Sequence, residues 1–385
     1  MAQFQSENGF RAFRVVKKHA ESDIITSFYL APTDAGPLWD VKPGQYITLR
    51  VPTADDHVLK TYSVSSDPSE TDHYRISVKR EAGLNGAPDG IGSTWLHDQV
   101  AVEDTIEIAA PRGVFYLDED STRPVVLLSG GVGLTPMVSM LHRLKDSARD
   151  VYFLHACENG RVHALRDEVM AQTNDRVQAQ FVYRMPEDGD QFDASGMIDK
   201  TFLQNLLPID DYDVYLCGPV PFMVAMYGLL QDLGVPKTRI AYEFFGKVAS
   251  LDQLVSKAAP EKVASKAASK AAPTIQALTF LTDPDAWAAA DEKTAPVQAA
   301  SQGQVSFRKS GASADWDGSA NSLLELAENA GLEPEFSCRA GICSACKCTL
   351  VSGEVEYFEE PLVAPENGKV LICCSRPKGA VVLDI

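Results

Sequence analysis

Six of the eight cysteines crowd into residues 338–374, and three of them, Cys338, Cys343 and Cys346, are spaced C-x4-C-x2-C. With a fourth at Cys373 or Cys374, that spacing is a ligation pattern of a 2Fe–2S centre. Four thiolates must converge on two irons. Three on one tight loop lower the ordering cost, and the fourth pins the loop to the body of the domain. Gly341, Ser344 and Ala345 are small enough to let backbone N–H groups approach the cluster sulfurs and tune them. A structural zinc site would show two paired C-x2–4-C knuckles, which this stretch lacks. A secreted disulfide scaffold is short and cysteine-dense throughout, whereas Cys157 and Cys217 stand alone in the first 337 residues here.

At 385 residues the chain has room for two to four domains, at roughly 100–200 residues each. Its 45% hydrophobic and 23% charged composition is that of a globular protein and excludes wholesale disorder. The net charge of −18, from 53 acids against 35 bases, argues against a nucleic-acid partner. No apolar run reaches the roughly 18 residues of a membrane span. Met1 to Ala20 lacks a signal-peptide core, so a cytoplasmic location and no membrane partner are expected.

The texture changes along the chain. Residues 1–118 carry short β-type runs, among them Arg11–Lys17, Gln45–Val51, Thr61–Ser65 and Arg75–Lys79, with one helix near Ser93–Asp98. Such closely spaced strands predict an antiparallel β-barrel. Residues 119–248 alternate strands and helices, which predicts an α/β domain with a parallel sheet. Residues 249–303 repeat Ser, Lys, Ala and Pro and read as a linker, an Ala-rich surface helix being the other reading. Residues 304–385 form a further unit containing the cysteine cluster, with a helix expected over Ser322–Ala330.

Two glycine-bearing strand ends stand out in the second stretch. Ser129-Gly130-Gly131-Val132-Gly133-Leu134-Thr135-Pro136 follows an apolar run and opens a helix. Its glycines admit a bound nucleotide close to the backbone, Thr135 suits the helix N-cap and Pro136 the first helical position. Free N–H groups at that helix start suit a pyrophosphate. Cys217-Gly218-Pro219-Val220-Pro221 ends another strand, at the edge where ligands of open α/β sheets bind.

Together these stretches resemble the NAD(P) domain of the ferredoxin reductase superfamily, with its G-G-x-G-x-T-P and C-G-P motifs. The resemblance implies dinucleotide contacts from Gly131, Gly133, Thr135, Pro136, Cys217, Gly218 and Pro219, with Thr135 and Cys217 at the nicotinamide. The turn Cys157-Glu158-Asn159 offers no cation before Arg161, and Glu158 would repel a 2′-phosphate, so NADH is expected over NADPH. Lys60-Thr61-Tyr62-Ser63 resembles the R-x-Y-S flavin motif of the same superfamily, with Lys60 supplying charge but not the bidentate fork of arginine.

The stretches around Lys79 and Gly92-Ser93-Thr94 resemble those of flavohaemoglobin reductase modules, where the helix start holds the FAD pyrophosphate. Tyr242-Glu243-Phe244-Phe245-Gly246 resembles the terminal segment beside the flavin, with Phe245 covering a ring face. Phe336 to Cys346 resembles plant-type ferredoxins, of β-grasp α+β fold. Matching Leu371–Pro377 to that family makes Cys373 the fourth ligand with Cys338, Cys343 and Cys346, and leaves Cys348 and Cys374 spare. FAD is expected, FMN being the alternative found in another reductase class that also ends in a plant-type ferredoxin.

The domain order implies an oxidoreductase passing electrons from NADH through FAD to the 2Fe–2S cluster. Ser63, Cys217 and Glu243 are expected where the nicotinamide meets the flavin. The implied acceptor is the terminal Rieske-type component of a multi-component monooxygenase or demethylase, met by a chain that is monomeric alone. A hybrid-cluster or other redox protein is the second reading, and a non-enzymatic 2Fe–2S carrier or sensor is the alternative of another class.

Overall fold

The computed structural model describes residues 9–34, 36–54, 56–83, 89–245, 251, 303–318, 320–336, 339, 341 and 344–385. Cys338, Cys343, Gly246 and nearly all of the expected linker lie outside the described residues.

The first unit is antiparallel. Strands β1 (Phe10–Ala20), β2 (Ile25–Pro32), β3 (Tyr46–Pro52), β4 (His57–Ser63), β5 (Tyr74–Lys79) and β6 (Thr105–Arg112) pair in the order β4-β3-β6-β1-β2-β5. A bridge between Val64 and Ile76 joins the two edges and closes the barrel. The two-residue period explains the core: β1 buries Phe13 and Val15 and turns Arg14 outward. Helix α1 (Ile91–Asp98) lays Leu96 against that core.

The second unit is a six-stranded parallel sheet. Strands β7 (Val125–Gly130), β8 (Val151–Cys157), β9 (Val177–Tyr183), β10 (Ala194–Ser195), β11 (Asp213–Cys217) and β12 (Ile240–Glu243) lie in the order β10-β9-β8-β7-β11-β12. Both faces are covered, as the continuous apolar run of β7 requires. Val125 and Leu127 enter one core, Val126 and Leu128 the other. The helices are α2 (Leu134–Leu144), α3 (Arg166–Met170), α4 (Lys200–Leu206) and α5 (Val220–Asp232). The chain runs outward from β7 to β10 and then returns to β11 on the other flank of β7, which makes β7/β11 the switch point where such sheets bind ligands. Leu251 is buried in the second of these cores.

The third unit holds β13 (Gln304–Phe307), β14 (Ala312–Asp315), β15 (Lys347–Ser352), β16 (Val355–Tyr357), β17 (Lys369–Leu371), β18 (Ser375–Pro377) and β19 (Val381–Leu383). Five of them form a mixed sheet, β14-β13-β19-β15-β17, with β19 parallel to β13, and β16 pairs with β18. Helix α6 (Leu323–Asn329) packs into its core and is capped by Ser322, whose Oγ accepts the Glu325 N–H at 3.2 Å.

This third unit rests on the other two. Leu362 packs beside Tyr46 and Leu59 of the barrel. Arg112 donates to the Glu360 carbonyl at 2.6 Å, and the Gly113 N–H donates to Glu359 Oε1 at 3.2 Å. On the sheet side, the Tyr242 hydroxyl donates to Glu325 Oε1 at 3.4 Å.

Candidate active site

A cleft of about 540 Å³ opens where the three units meet. Strand β4 turns Lys60, Tyr62 and Ser63 toward it, β5 contributes Lys79, and the start of α1 contributes Gly92 and Ser93. Thr135 of α2 and Glu243 and Phe245 at the end of β12 close a second side, and Cys373 reaches it from the third unit. Thr94 lies outside the cleft, its hydroxyl buried and unpartnered.

The polar atoms of this cleft suit a ligand with a polar edge and phosphates. Ser63 Oγ and Glu243 Oε2 are buried without a hydrogen-bond partner, a cost of a few kcal/mol each that a bound group offsets. Helix α1 has no side-chain cap at Gly90, which leaves N–H groups of its first turn available to an anion. The Ser93 hydroxyl serves the fold instead, donating to the Gly90 carbonyl and accepting the Glu81 N–H, both at 3.1 Å. Tyr62 packs so tightly on α1 that a Cβ at Gly92 would lie 2.5 Å from its hydroxyl.

Burial pushes the Glu243 carboxyl up to about 8, so at neutral pH it carries a proton. Cys217 is its partner across β11 and β12. The thiol is fully buried in the same core as Tyr215, two residues earlier, and burial followed by the Glu243 charge raises its pKa well above the ordinary value. Thr135, rather than Cys217, is the member of that expected pair that lines the cleft.

At the switch point the expected N-cap is corrected. Gly131–Gly133 forms a 3-10 turn and α2 already starts at Leu134, so Thr135 sits inside the helix and donates its hydroxyl to the Val132 carbonyl at 3.1 Å. Pro136 remains in the first turn, where its missing N–H costs nothing. The glycines also act differently from expectation. Gly131, at φ +52°, faces open space, but a Cβ on Gly133 would lie 2.3 Å from the Cys217 carbonyl oxygen. Gly218 is likewise hemmed in by Gly130 and Phe222. These residues let the ends of β7 and β11, and with them Cys217-Gly218-Pro219, pack against each other. Gly133→Ala is therefore expected to destabilise the second unit by about 1–3 kcal/mol and to abolish nucleotide-driven flavin reduction, with cluster absorbance unchanged; flavin bleaching by NADH reads it.

Beyond β8, Glu158 is held by Arg184 through two bonds of 2.8 Å, and Arg161 is paired with Asp23 at 2.7 Å. Arg184 was not legible from the β8 turn because it arrives from the end of β9.

In the third unit Cys346 and Cys373 are buried. The Gly341 N–H donates to Cys373 Sγ at 3.3 Å, the kind of bond that favours a thiolate. Cys374 is turned inward, its Sγ 3.6 Å from its own Leu371 carbonyl. Arg339, Gly341 and Ser344 have φ of +54°, +66° and +56°, a tight winding that two non-glycine residues adopt only under constraint. A buried Cys346 at the end of this loop, and a buried Cys373 that accepts the loop's Gly341 N–H, fit an iron–sulfur centre.

Barrel, switch-point sheet and cysteine loop thus define a flavin- and nicotinamide-dependent oxidoreductase carrying an iron–sulfur domain. The chain matches the family models for the oxidoreductase FAD-binding domain over residues 12–116, the oxidoreductase NAD-binding domain over 127–227 and the 2Fe-2S iron-sulfur cluster binding domain over 307–378. It belongs to the ferredoxin reductase superfamily, with a plant-type 2Fe–2S domain fused at its C-terminal side.

Among relatives, it is 46% identical over 252 residues to a flavohemoprotein of Bacillus thuringiensis subsp. konkukian, a match covering 63% of this chain and 62% of that one. The chain therefore spans less than two thirds of the length of the curated relatives it matches. Among solved structures, the FAD/NAD-binding domain of nitric oxide dioxygenase from Vibrio cholerae O1 biovar El Tor is 39% identical, covering 62% of this chain and 99% of its own, with a TM-score of 0.56. Phthalate dioxygenase reductase covers 98% of both chains at 23% identity and a TM-score of 0.52, a likeness of fold. Among the described residues, no helix is long and apolar enough to cross a membrane.

Proposed function

We propose that the chain is an NADH-dependent reductase that passes electrons through FAD to its own 2Fe–2S cluster and on to a partner redox protein. The observation that carries this reading is the single cleft shared by Ser63, Glu243, Thr135 and Cys373, residues from all three units. A flavin held there supplies the exchange between the two-electron chemistry of a nicotinamide and the one-electron chemistry of an iron–sulfur centre.

In this reading Lys60, Lys79 and the first-turn N–H groups of α1 hold the flavin phosphates, and Ser63 Oγ meets the polar ring edge. Gly131 to Pro136 and Cys217 to Pro219 receive the dinucleotide, with Phe245 as the covering aromatic ring. Cys338, Cys343, Cys346 and Cys373 ligate the cluster. Glu158 engages Arg184 and Asp23 engages Arg161, so the cations near this strand end are already paired, and Glu158 keeps lone pairs for ribose hydroxyls, which favours NADH. Glu243 holds a proton at Oε2 below about pH 8. The rate of flavin bleaching by NADH is therefore expected to fall as pH rises through about 8, and Glu243→Gln to lower the rate at neutral pH by about a hundredfold and flatten that limb. Stopped-flow absorbance across that range checks both.

The proposed acceptor is the terminal Rieske-type component of a monooxygenase or demethylase, a partner class consistent with the fold shared with phthalate dioxygenase reductase. Anaerobic titration tests the core of the reading. Two flavin electrons and one cluster electron require about one and a half NADH per chain. Bleaching of both chromophores at that ratio supports the proposal, and bleaching of the flavin alone contradicts it.

A further inference from the structure

Between barrel and parallel sheet, away from the cleft, lies a half-buried cluster of polar and charged side chains, none of which lines the cleft. Arg75 of β5 is 6% exposed and grips both carboxylate oxygens of Glu168 on α3, at 2.6 and 2.7 Å. Its guanidinium also donates to Ser65 Oγ at 3.2 Å and to the Ser65 carbonyl. His142 Nε2 of α2 lies 2.7 Å from Glu168 Oε1, and His142 Nδ1 lies 3.4 Å from Asp67 Oδ2, back on the barrel side. Lys145 adds a looser contact to Asp67 at 3.8 Å. Burial alone would raise the Glu168 pKa, but the hydrogen bonds from His142 and Arg75 overcome it and hold the carboxyl at about 2.

The cluster is wired to the cleft along two elements. On β5 the period of two puts Arg75, Ser77 and Lys79 on one face, and Ser77 and Lys79 line the cleft. On α2, Thr135 at the cleft and His142 at the cluster are seven residues apart and share one face. β5 also packs against the Gly131–Gly133 turn. Contacts run both ways across the seam: Arg75 of the barrel meets Glu168, Asp67 of the barrel meets Lys145, and the His142 imidazole stands between the two carboxylates. Sliding one unit past the other would separate these pairs and strip the buried Arg75 guanidinium of its carboxylate partner.

We propose that Arg75, Glu168, His142 and Asp67 form a positioning lock that fixes the flavin wall of the cleft against the dinucleotide-binding turn. These are positioning residues: none touches the reacting groups, and each acts through β5 or α2. The inference rests on the reading of the chain as an NADH-driven flavin reductase, because only there does the β5-to-α2 spacing set the rate. Displacements of about 1 Å at a reacting pair cost up to about a hundredfold.

The test compares the flavin- and cluster-loaded full chain with Glu168→Gln. At saturating NADH, flavin bleaching is expected to slow at least about tenfold with little change in the NADH concentration for half-maximal rate. Flavin and cluster content stay at the wild-type level. Independently of turnover, amide hydrogen exchange is expected to quicken over 75–79 and 131–137 and to stay unchanged in the third unit. Unaltered exchange and an unaltered saturating rate overturn the lock. A wild-type chain that NADH does not bleach overturns the functional reading instead, while the exchange comparison still decides the lock. Should Glu168→Gln not fold, Asp67→Asn leaves the Arg75–Glu168 pair intact, and wild-type exchange at 131–137 in that variant overturns the proposal.

Discussion

Cys373→Ser is expected to abolish the 2Fe–2S absorbance of the loaded protein while flavin binding persists. The Gly341 N–H points at Cys373 Sγ from the tight loop that ends in Cys346, and Cys373 is the cysteine that reaches the shared cleft. Cys374 is one residue away but occupies the space a Cβ on Gly341 would need, 2.8 Å from that position, and turns toward Leu371. Cys374→Ser is therefore expected to retain the cluster, with at most a shift in its reduction potential from altered packing beside the sulfurs. The visible spectrum and iron content of the two variants check this. A cluster kept in Cys373→Ser and lost in Cys374→Ser would exchange their roles.

Acidification from pH 7 to pH 5 is expected to remove about 4 kcal/mol of histidine-linked stability from the parallel-sheet unit, of which the raised Glu243 carboxyl restores about 2–3 kcal/mol. The His155 and His163 rings meet at a tilt of 34° with centroids 4.6 Å apart, both buried. Ser129 Oγ bonds His155 Nδ1 at 2.9 Å, and Tyr183 bonds His163 Nδ1 at 2.8 Å, while His163 Nε2 has no partner. Burial pushes His155 down to about 3. For His163, burial, with the neighbouring His155 and Arg166 adding to it, pushes the pKa down to about 2. The unfolded chain titrates near the ordinary value of 6.5 and therefore binds more protons than the folded state below it. The histidine contribution is full above about pH 6.5 and declines as pH falls toward 3, by about 1.4 kcal/mol per unit per histidine, or about 2 kcal/mol each by pH 5. His163→Phe, which keeps an aromatic ring beside His155, is expected to take about 2 kcal/mol off the stability lost on acidification from about pH 7 to 5, read by denaturant unfolding at each pH. An unchanged pH dependence contradicts the assignment.

The barrel, the parallel sheet and the cysteine-bearing unit were legible in the sequence because each carries its own period and punctuation. β5 is expected at Arg75–Lys79 and found at Tyr74–Lys79, and α6 differs from expectation only at its capping residues. The linear motifs at Lys60–Ser63 and Gly131–Pro136 likewise marked segments that flank the cleft or the switch point. Hidden from the sequence were the features that depend on two distant segments meeting. Thr135 looked like an N-cap because the 3-10 turn before it packs through Gly133 on Cys217, 84 residues further along the chain. Arg75, Glu168 and His142 come from three elements of two units, and no spacing announces them. The same holds for His155 and His163, whose rings meet only because β8 and the following turn bring them together.

The measurement that bears most directly on the central claim is NADH-driven reduction of cytochrome c by the full chain loaded with flavin and cluster. The account predicts sustained reduction that falls steeply in Cys373→Ser and is slowed in Glu243→Gln, because electrons must cross the shared cleft and leave through the cluster. A fully loaded chain that reduces no cytochrome c with NADH, or one whose rate is indifferent to the loss of its cluster, would contradict it.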